Sequence, residues 1–511
     1  MNTPVLVLGL DMGDGGLIHH WIRQGRLPHF GRLVDKGISI DLESPAAVLH
    51  TSAWPTFATG VLPGRHGVYY PYQPKPGHQF ARQIDVDQCA APTFWSRAAG
   101  ARRRCVVYDI PETFPERGFS GRAVFDWGTW ARYGRTSGQP AHLLEEMKSR
   151  FGKYPLGFEA MRLGFGDPQG IDERMLQAIR YKAATAQWLL QQDEWDLAVI
   201  GFGETHPAGH YLWPPGITGV VDTVDEASFE RLFAVYAAID GALGALWTNL
   251  PSDGVLIVAS GDGVRANNCG WHLLPGMLDR LGFSSSRQTS SVEASGRRRL
   301  LVPNLPGLVP TSVKRQIAAR LPLRVRNQLS LWTQASAFDW SRTRAFALPT
   351  DLEGCVRINL KGREPFGIVA PGAQYDDLCQ EIRARLEEVV NPATGAPAVR
   401  RVWIRNETFP GPQQDELPDL IVTWNGETPI AAVTSPSLGV VEGMNPDPRP
   451  GTHSTSGFLM AQGPDIESGN QSRGRLVDIA ATVLHLLGLT RMDDLEGTPL
   501  RLSRTSDLVS N

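Results

Sequence analysis

The amino-acid sequence predicts an α/β protein built on a mostly parallel central sheet. Several short apolar runs end abruptly in polar or glycine-rich turns and are followed by helix-length stretches, the alternation expected of strands joined by helical crossovers. The chain is also 511 residues long, well above the roughly 250 to 300 residues of a single core, so the sheet is expected to carry insertions or a second domain.

In chain order the expected strands are Val5 to Leu10, Arg104 to Tyr108, Leu197 to Ile200, Val255 to Ala259, Leu420 to Trp424 and Gly457 to Met460. Helices are expected over Ser228 to Leu246, with apolar residues at Phe229, Leu232, Val235, Ala238 and Ile239, and over Leu476 to Leu487, which Gly488 closes. The stretch from Ser284 to Leu331 changes character. It opens rich in Ser and Arg, contains Arg297-Arg298-Arg299, and runs on as a basic amphipathic segment from Ser312. A solvated basic face explains such a segment more simply than a phosphate site does. These features divide the chain into a core segment over 1–281, a cap or insertion over 282–346 and a closing core segment over 347–511.

Composition removes several function classes. With 50 Lys+Arg against 53 Asp+Glu and a formal charge of -3, the chain lacks the basic excess that binding to a nucleic acid polymer or an anionic membrane usually needs. No apolar run reaches the roughly 18 to 20 residues that cross a bilayer, and Pro4 to Asp11 begins a strand without a basic leader, so a cytoplasmic protein is expected. The 5 cysteines never form a Cys-x-x-Cys pair, which argues against a disulfide framework and a zinc knuckle. Any metal must then be held by histidines and carboxylates.

In open α/β sheets ligands gather beyond the carboxyl ends of the strands. Asp11 stands at such an end, although turns use aspartate for ordinary reasons too. His206 and His210 follow the strand near Leu197, four residues apart, a spacing that lets two imidazoles share one ion. With 12 histidines in the chain, such a pair is unremarkable by chance, and its position after a buried strand is what distinguishes it from polar loop packing. Asp262 lies between two glycines after the strand near Val255, where a plain turn is the alternative, with His272 ten residues on. His453 sits at a loop-to-strand junction, a place where histidines are more often surface residues. Together these supply carboxylates and imidazoles suited to Zn, Mn or Mg.

Gly9-Leu10-Asp11, Gly25-Arg26-Leu27-Pro28, Ser52 to Gly60, Pro63-Gly64-Arg65-His66-Gly67-Val68 and Gly451-Thr452-His453 with Gly457 resemble the alkaline phosphatase superfamily. The similarity is to its type I phosphodiesterase/nucleotide pyrophosphatase group and phosphohydrolase/phosphomutase relatives. Leu476 to Leu484 and Leu495-Glu496-Gly497-Thr498-Pro499-Leu500 resemble that family's closing helix and turn. The resemblance implies an alkaline-phosphatase-like fold and two metal ions about 4 Å apart that hold phosphoryl oxygens and activate a Thr or Ser nucleophile. It maps Asp11 to a ligand from the first strand, and His210 and His453 to ligands of the second ion. It places the nucleophile where a helix begins and runs into Thr59-Gly60, so that the helix N-terminus helps hold the phosphoryl group.

The sequence departs from the family in three places. The usual nucleophile position falls on His50, with Thr51 and Ser52 next; His206 stands where members commonly have Asp; and the family's Asp-His pair reads Gly261-Asp262. Thr51 is the first candidate nucleophile, Ser52 and His50 the others, and helix capping is the commoner job of a Thr in that position. Trp54, Phe57, His66 and Tyr69 are expected to pack around this helix. Asp262, or His272 reaching back, is the residue that could replace the lost ligand. The implied activity is that of a metal-dependent phosphodiesterase or phosphomonoesterase with one or two divalent ions, zinc before manganese, acting on a small phosphorylated metabolite or nucleotide. Imidazole for carboxylate favours a transition metal over Mg and leaves open a single-metal transferase, mutase or non-phosphate hydrolase, or a non-catalytic module that binds a phosphorylated ligand. The loops Tyr70 to Gln83 and Gly128 to Gly138, with the cap, are expected to shape the substrate pocket.

Overall fold

The computed structural model describes residues 3–84, 89–113, 116, 118–128, 136–156, 170–214, 217, 226–286, 338–489 and 493–502. Most of the predicted cap (287–337, with Arg297 to Arg299 and Ser312 to Leu331) and part of the 128–138 loop lie outside them.

The first strand, β1 (Val5–Leu10), is buried along its whole length. Its alternate side chains enter two different cores: Leu6, Leu8 and Leu10 on one face, Val5 and Val7 on the other. That two-sided burial is why the run is continuously apolar rather than alternating. Around it stand β2 (Ile38–Glu43), β3 (Cys105–Tyr108), β4 (Arg122–Phe125), β5 (Ser137–Gln139), β6 (Leu197–Phe202), β7 (Val255–Ser260), β8 (Ser456–Gln462) and β9 (Gly469–Arg475). They form one sheet in the order β9-β2-β8-β7-β1-β6-β3-β4-β5. Pairing is parallel from β7 through β4 and between β9 and β2. Only β8, wedged between β2 and β7, and the edge strand β5 run antiparallel. The architecture is therefore mixed α/β, with a mostly parallel sheet between helical layers.

Helix α1 (Gly15–Arg23) starts immediately after the β1 turn, with Asp14 capping it by accepting the Leu17 N–H. Helix α2 (Ala53–Thr59) is buried throughout and ends on Gly60 at φ 69°, the left-handed conformation that glycine adopts without strain. Helices α3 (Ile171–Leu190), α4 (Thr205–Leu212) and α5 (Glu226–Trp247) cover the β1 face that carries Leu6 and Leu8, and α6 (Asp478–Leu486) packs on the other with α2. Gly488, at φ 71°, follows α6 as expected.

The run Leu420–Trp424 is a strand, but it belongs to a second, four-stranded antiparallel sheet with Ala345–Ala347, Gly354–Ile358 and Val399–Ile404. An apolar run does not encode which partner it pairs with, and here a separate core forms around Val356, Ile382, Val402 and Val422. This second layer brings two carboxylates to the edge of the main sheet.

Candidate metal centre

The carboxyl ends of β7, β1 and β6 lie side by side, and the polar residues that follow them converge. After β1 the chain turns at Asp11-Met12. Met12 takes φ 61°, a left-handed conformation costly for a residue with a Cβ, and its N–H donates to Asp262 Oδ1 at 3.2 Å. After β6, α4 carries His206 and His210 one turn apart on the same face. After β7, Val264–Ala266 pairs with Gly451–His453 in a two-stranded ribbon that sets His453 opposite Val264.

Nε2 of His206 and Nε2 of His210 are 3.0 Å apart. A ligand nitrogen of His453 joins them, all within 4.8 Å of one another and all from buried residues. The outward nitrogen of each ring is held. Nδ1–H of His210 donates to the Gly451 carbonyl at 2.8 Å, that of His453 to Asp262 Oδ2 at 2.6 Å, and Nδ1 of His206 stands 3.4 Å from Asp11 Oδ2. A carbonyl can only accept, so His210 carries its hydrogen on Nδ1 and turns the Nε2 lone pair inward. Carboxylate or carbonyl support behind a ring is the usual arrangement for a metal-binding histidine.

Burial, reinforced by Arg449 and His453, pushes the His210 imidazole well below its ordinary value and keeps it in the neutral, ligating form. Burial pushes the Asp262 carboxyl up to about 7, against the opposing pull of His50 and the Met12 N–H. A cation on the three rings would oppose that burial effect through His453 and favour the ionised carboxylate. The donor set thus fits a borderline divalent ion.

Tight backbone contact keeps the rings in register. A Cβ on Gly451 would lie 1.9 Å from the Gly209 carbonyl oxygen, so glycine is required where the ribbon crosses α4. Gly9 likewise leaves room for the Trp54 ring, which a Cβ there would meet at 2.8 Å. Trp54 is more than packing, because its Nε1–H donates to Asp11 Oδ1 at 2.7 Å. Thr205 Oγ1–H donates to the Asp11 carbonyl at 2.6 Å, tying α4 to the β1 turn.

His50, Thr51 and Ser52 form a short 3-10 turn leading into α2, all three buried. His50 reaches the cluster, with its ring centroid 4.7 Å from that of His453. Glu353, from the second sheet, holds it twice, accepting the backbone N–H at 2.9 Å and Nδ1–H at 2.8 Å. Asp351 Oδ1 lies 3.8 Å from His50 Nε2. Ser52 Oγ–H donates to the Leu49 carbonyl at 2.6 Å, a local bond that occupies its proton. His272 stands apart from the converging group: its Nε2 meets the Gly443 carbonyl at 2.9 Å and its ring faces Trp271.

Glu353 and Asp351 were not singled out from the sequence. The available signal was a pair of carboxylates directly before the buried strand Gly354–Ile358, the strand-edge rule applied at the opposite end of a strand. Also missed was Lys182, wholly buried on α3, with Nζ 2.8 Å from Asp109 and 3.3 Å from Glu204, which immediately precedes α4. On the Glu353 side lies an aromatic cavity of about 210 Å³, lined by Phe80, Trp271, Trp340, Phe346 and Thr350. Its Thr350 hydroxyl donates to the Glu353 carbonyl at 2.6 Å.

Residues 5–282 match the family described as type I phosphodiesterase / nucleotide pyrophosphatase. That span includes Asp11, His50, His206, His210 and Asp262 and stops before Glu353 and His453. Among solved structures, phosphonoacetate hydrolase from Sinorhizobium meliloti 1021 in complex with phosphonoformate aligns at 14% identity and TM-score 0.53, over 95% of each chain. Murine ectonucleotide pyrophosphatase / phosphodiesterase 5 aligns at 12% identity and TM-score 0.49, over 96% of each chain. The likeness to the hydrolase bears on the fold alone, and no curated protein sequence matches the chain. Among the described residues no helix is long and apolar enough to cross a membrane.

Proposed function

Because the chain belongs to the type I phosphodiesterase / nucleotide pyrophosphatase family, we propose that it is a divalent-metal-dependent phosphoester hydrolase acting on a small phosphorylated metabolite or nucleotide. The observation that carries this is the convergence of His206, His210 and His453, with ligand nitrogens within 4.8 Å, at the ligand-binding edge of the sheet. Fold alone would not license the activity.

His206, His210 and His453 would hold the ion, while Asp11, the Gly451 carbonyl and Asp262 orient their rings. A divalent ion bound there supplies positive charge that polarises a phosphoryl oxygen and acidifies water at the site. The His50–Ser52 turn, whose His50 ring centroid lies 4.7 Å from that of His453, would lie beside the bound phosphoryl group. Thr51 is the candidate nucleophile; Ser52 is the weaker one, because its hydrogen is committed to Leu49. Glu353 fixes the His50 ring so that it can hydrogen-bond a reacting oxygen. The aromatic cavity next to Glu353 suits a flat organic group on the far side of the ester.

The test is hydrolysis of a chromogenic phosphodiester and a chromogenic phosphomonoester by chelator-stripped protein, with and without added Zn or Mn. Metal-dependent release of the chromophore from either is the expected result. Metal-loaded protein that hydrolyses neither, and that leaves nucleotides intact, would overturn the proposal.

A further inference from the structure

We infer that this chain holds one divalent ion, ligated from the protein only by the imidazole nitrogens of His206, His210 and His453, and that the place of a second ion is closed by the chain itself. The inference rests on the metal-dependent account above but is tested apart from it. Three observations carry it.

The first is how Asp11 and Asp262 are used. Each has one oxygen behind a histidine and the other on a fixed donor. Asp11 lies behind His206 and accepts the Trp54 Nε1–H; Asp262 lies behind His453 and accepts the Met12 N–H. Each carboxylate thus already has both oxygens engaged, one toward an imidazole and one on a fixed N–H. The two residues therefore act as positioning groups for the nitrogen ligands.

The second is the space beside Asp262. Where the resemblance puts a carboxylate ligand, Gly261 stands, and a Cβ there would meet Ala53 Cβ at 2.9 Å and Leu476 Cδ2 at 3.0 Å. On the other side a Cβ on Gly263 would meet Asp14 Oδ2 at 2.4 Å and Ser454 Oγ at 2.8 Å. Asp14 is itself engaged, capping α1 and accepting the Val264 N–H at 3.1 Å. Neither neighbour of Asp262 has room for a further ligand.

The third is His50, which occupies the position of the family's hydroxyl nucleophile. Its Nδ1–H and its backbone N–H are both on Glu353, so where the family's hydroxyl would stand this chain has an imidazole already committed to a carboxylate. Nitrogen-only ligation also sets the choice of metal. Three neutral imidazoles suit Zn, Co, Ni or Cu, whereas Mg and Mn favour oxygen donors.

The test uses full-length protein, stripped with a chelator and titrated with Zn. Metal content is read by elemental mass spectrometry and the ligand atoms by X-ray absorption at the Zn edge. The inference expects saturation at one Zn per chain with three imidazoles in the coordination shell, and no displacement of Zn by excess Mg or Mn. Asp262→Asn should weaken Zn binding about 10- to 100-fold while leaving the stoichiometry at one. Saturation at two ions, a carboxylate oxygen among the ligands, or a fall from two ions to one in Asp262→Asn would each overturn it, as would failure to bind Zn at all. The wild-type stoichiometry and ligand count need no variant to fold. One nitrogen-ligated Zn with no phosphoester hydrolysis would sink the proposed function and leave this inference standing; two ions with hydrolysis would do the reverse.

Discussion

Replacing Lys182 by Met should damage the core and loosen the metal site together. Lys182 is wholly buried between Asp109 and Glu204, both also fully buried. Burial alone would push the ammonium down, but the two carboxylates outweigh it and hold it above its ordinary value. Met fills much the same volume and removes the charge. Asp109 keeps the Trp127 and Gly128 N–H groups at 2.8 and 3.0 Å, and Glu204 keeps the Tyr154 hydroxyl at 2.6 Å, but no cation is left between them. Removing one partner of a buried pair typically costs about 3 to 5 kcal/mol, a large share of the 5 to 15 kcal/mol that holds an ordinary domain. Adding Glu204→Gln should recover at least about 1 kcal/mol, since one unpaired carboxylate is removed. Hydrogen exchange of the β3 and β6 amides in urea would report the core separately from the second sheet. Because Glu204 leads into α4, Zn affinity should fall as well. A loss below about 1 kcal/mol, or no recovery in the double variant, would refute this account of the buried charges.

Three further perturbations bear on the site and its surroundings. His66 is fully buried, accepts the Val68 N–H on Nδ1 and bonds Thr56 through Nε2, and burial lowers its pKa to about 3. Unfolded chain takes up a proton near pH 6.5 that the folded chain refuses. Stability should therefore fall by about 1.4 kcal/mol per pH unit from this residue as pH drops from roughly 6.5 toward 3, and be unaffected above that range; a His66→Gln variant with the same slope as wild type would contradict it. Glu353→Ala removes the acceptor that Glu353 offers to both His50 donors and should lower kcat about 10- to 100-fold with Zn content maintained; an unchanged kcat would remove Glu353 from the positioning role. Thr51→Ala should abolish turnover in Zn-loaded protein, and full activity would exclude Thr51 as the nucleophile.

The fold was most legible where burial is two-sided. Val5–Leu10 and the run beginning at Val255 are apolar at every position because helices cover both faces, and they were recognisable as they stand. Strand β2 was not, because Asp41 and Glu43 are exposed and break the run. The second sheet escaped for a different reason: its strands look like those of the first, and pairing is a property of the whole chain. Asp11, His206, His210 and Asp262 could be picked out because ligands follow strand ends, and His453 through the family resemblance, and the structure brings them together. His272 shared the residue type but follows no such end. Glu353 meets His50 across 303 positions of sequence and is marked only by its place before a buried strand, while Lys182 lies mid-helix and is marked only by its burial.

The most direct test of the account compares wild type and His210→Ala, both stripped and then supplied with Zn, for bound metal and phosphodiester hydrolysis in the same samples. Wild type is expected to bind Zn and hydrolyse, and His210→Ala, lacking one of three nitrogen ligands, to lose both. Hydrolysis by His210→Ala at the wild-type rate, or by wild type with its metal removed, would contradict the claim that this histidine cluster is a metal-dependent catalytic centre.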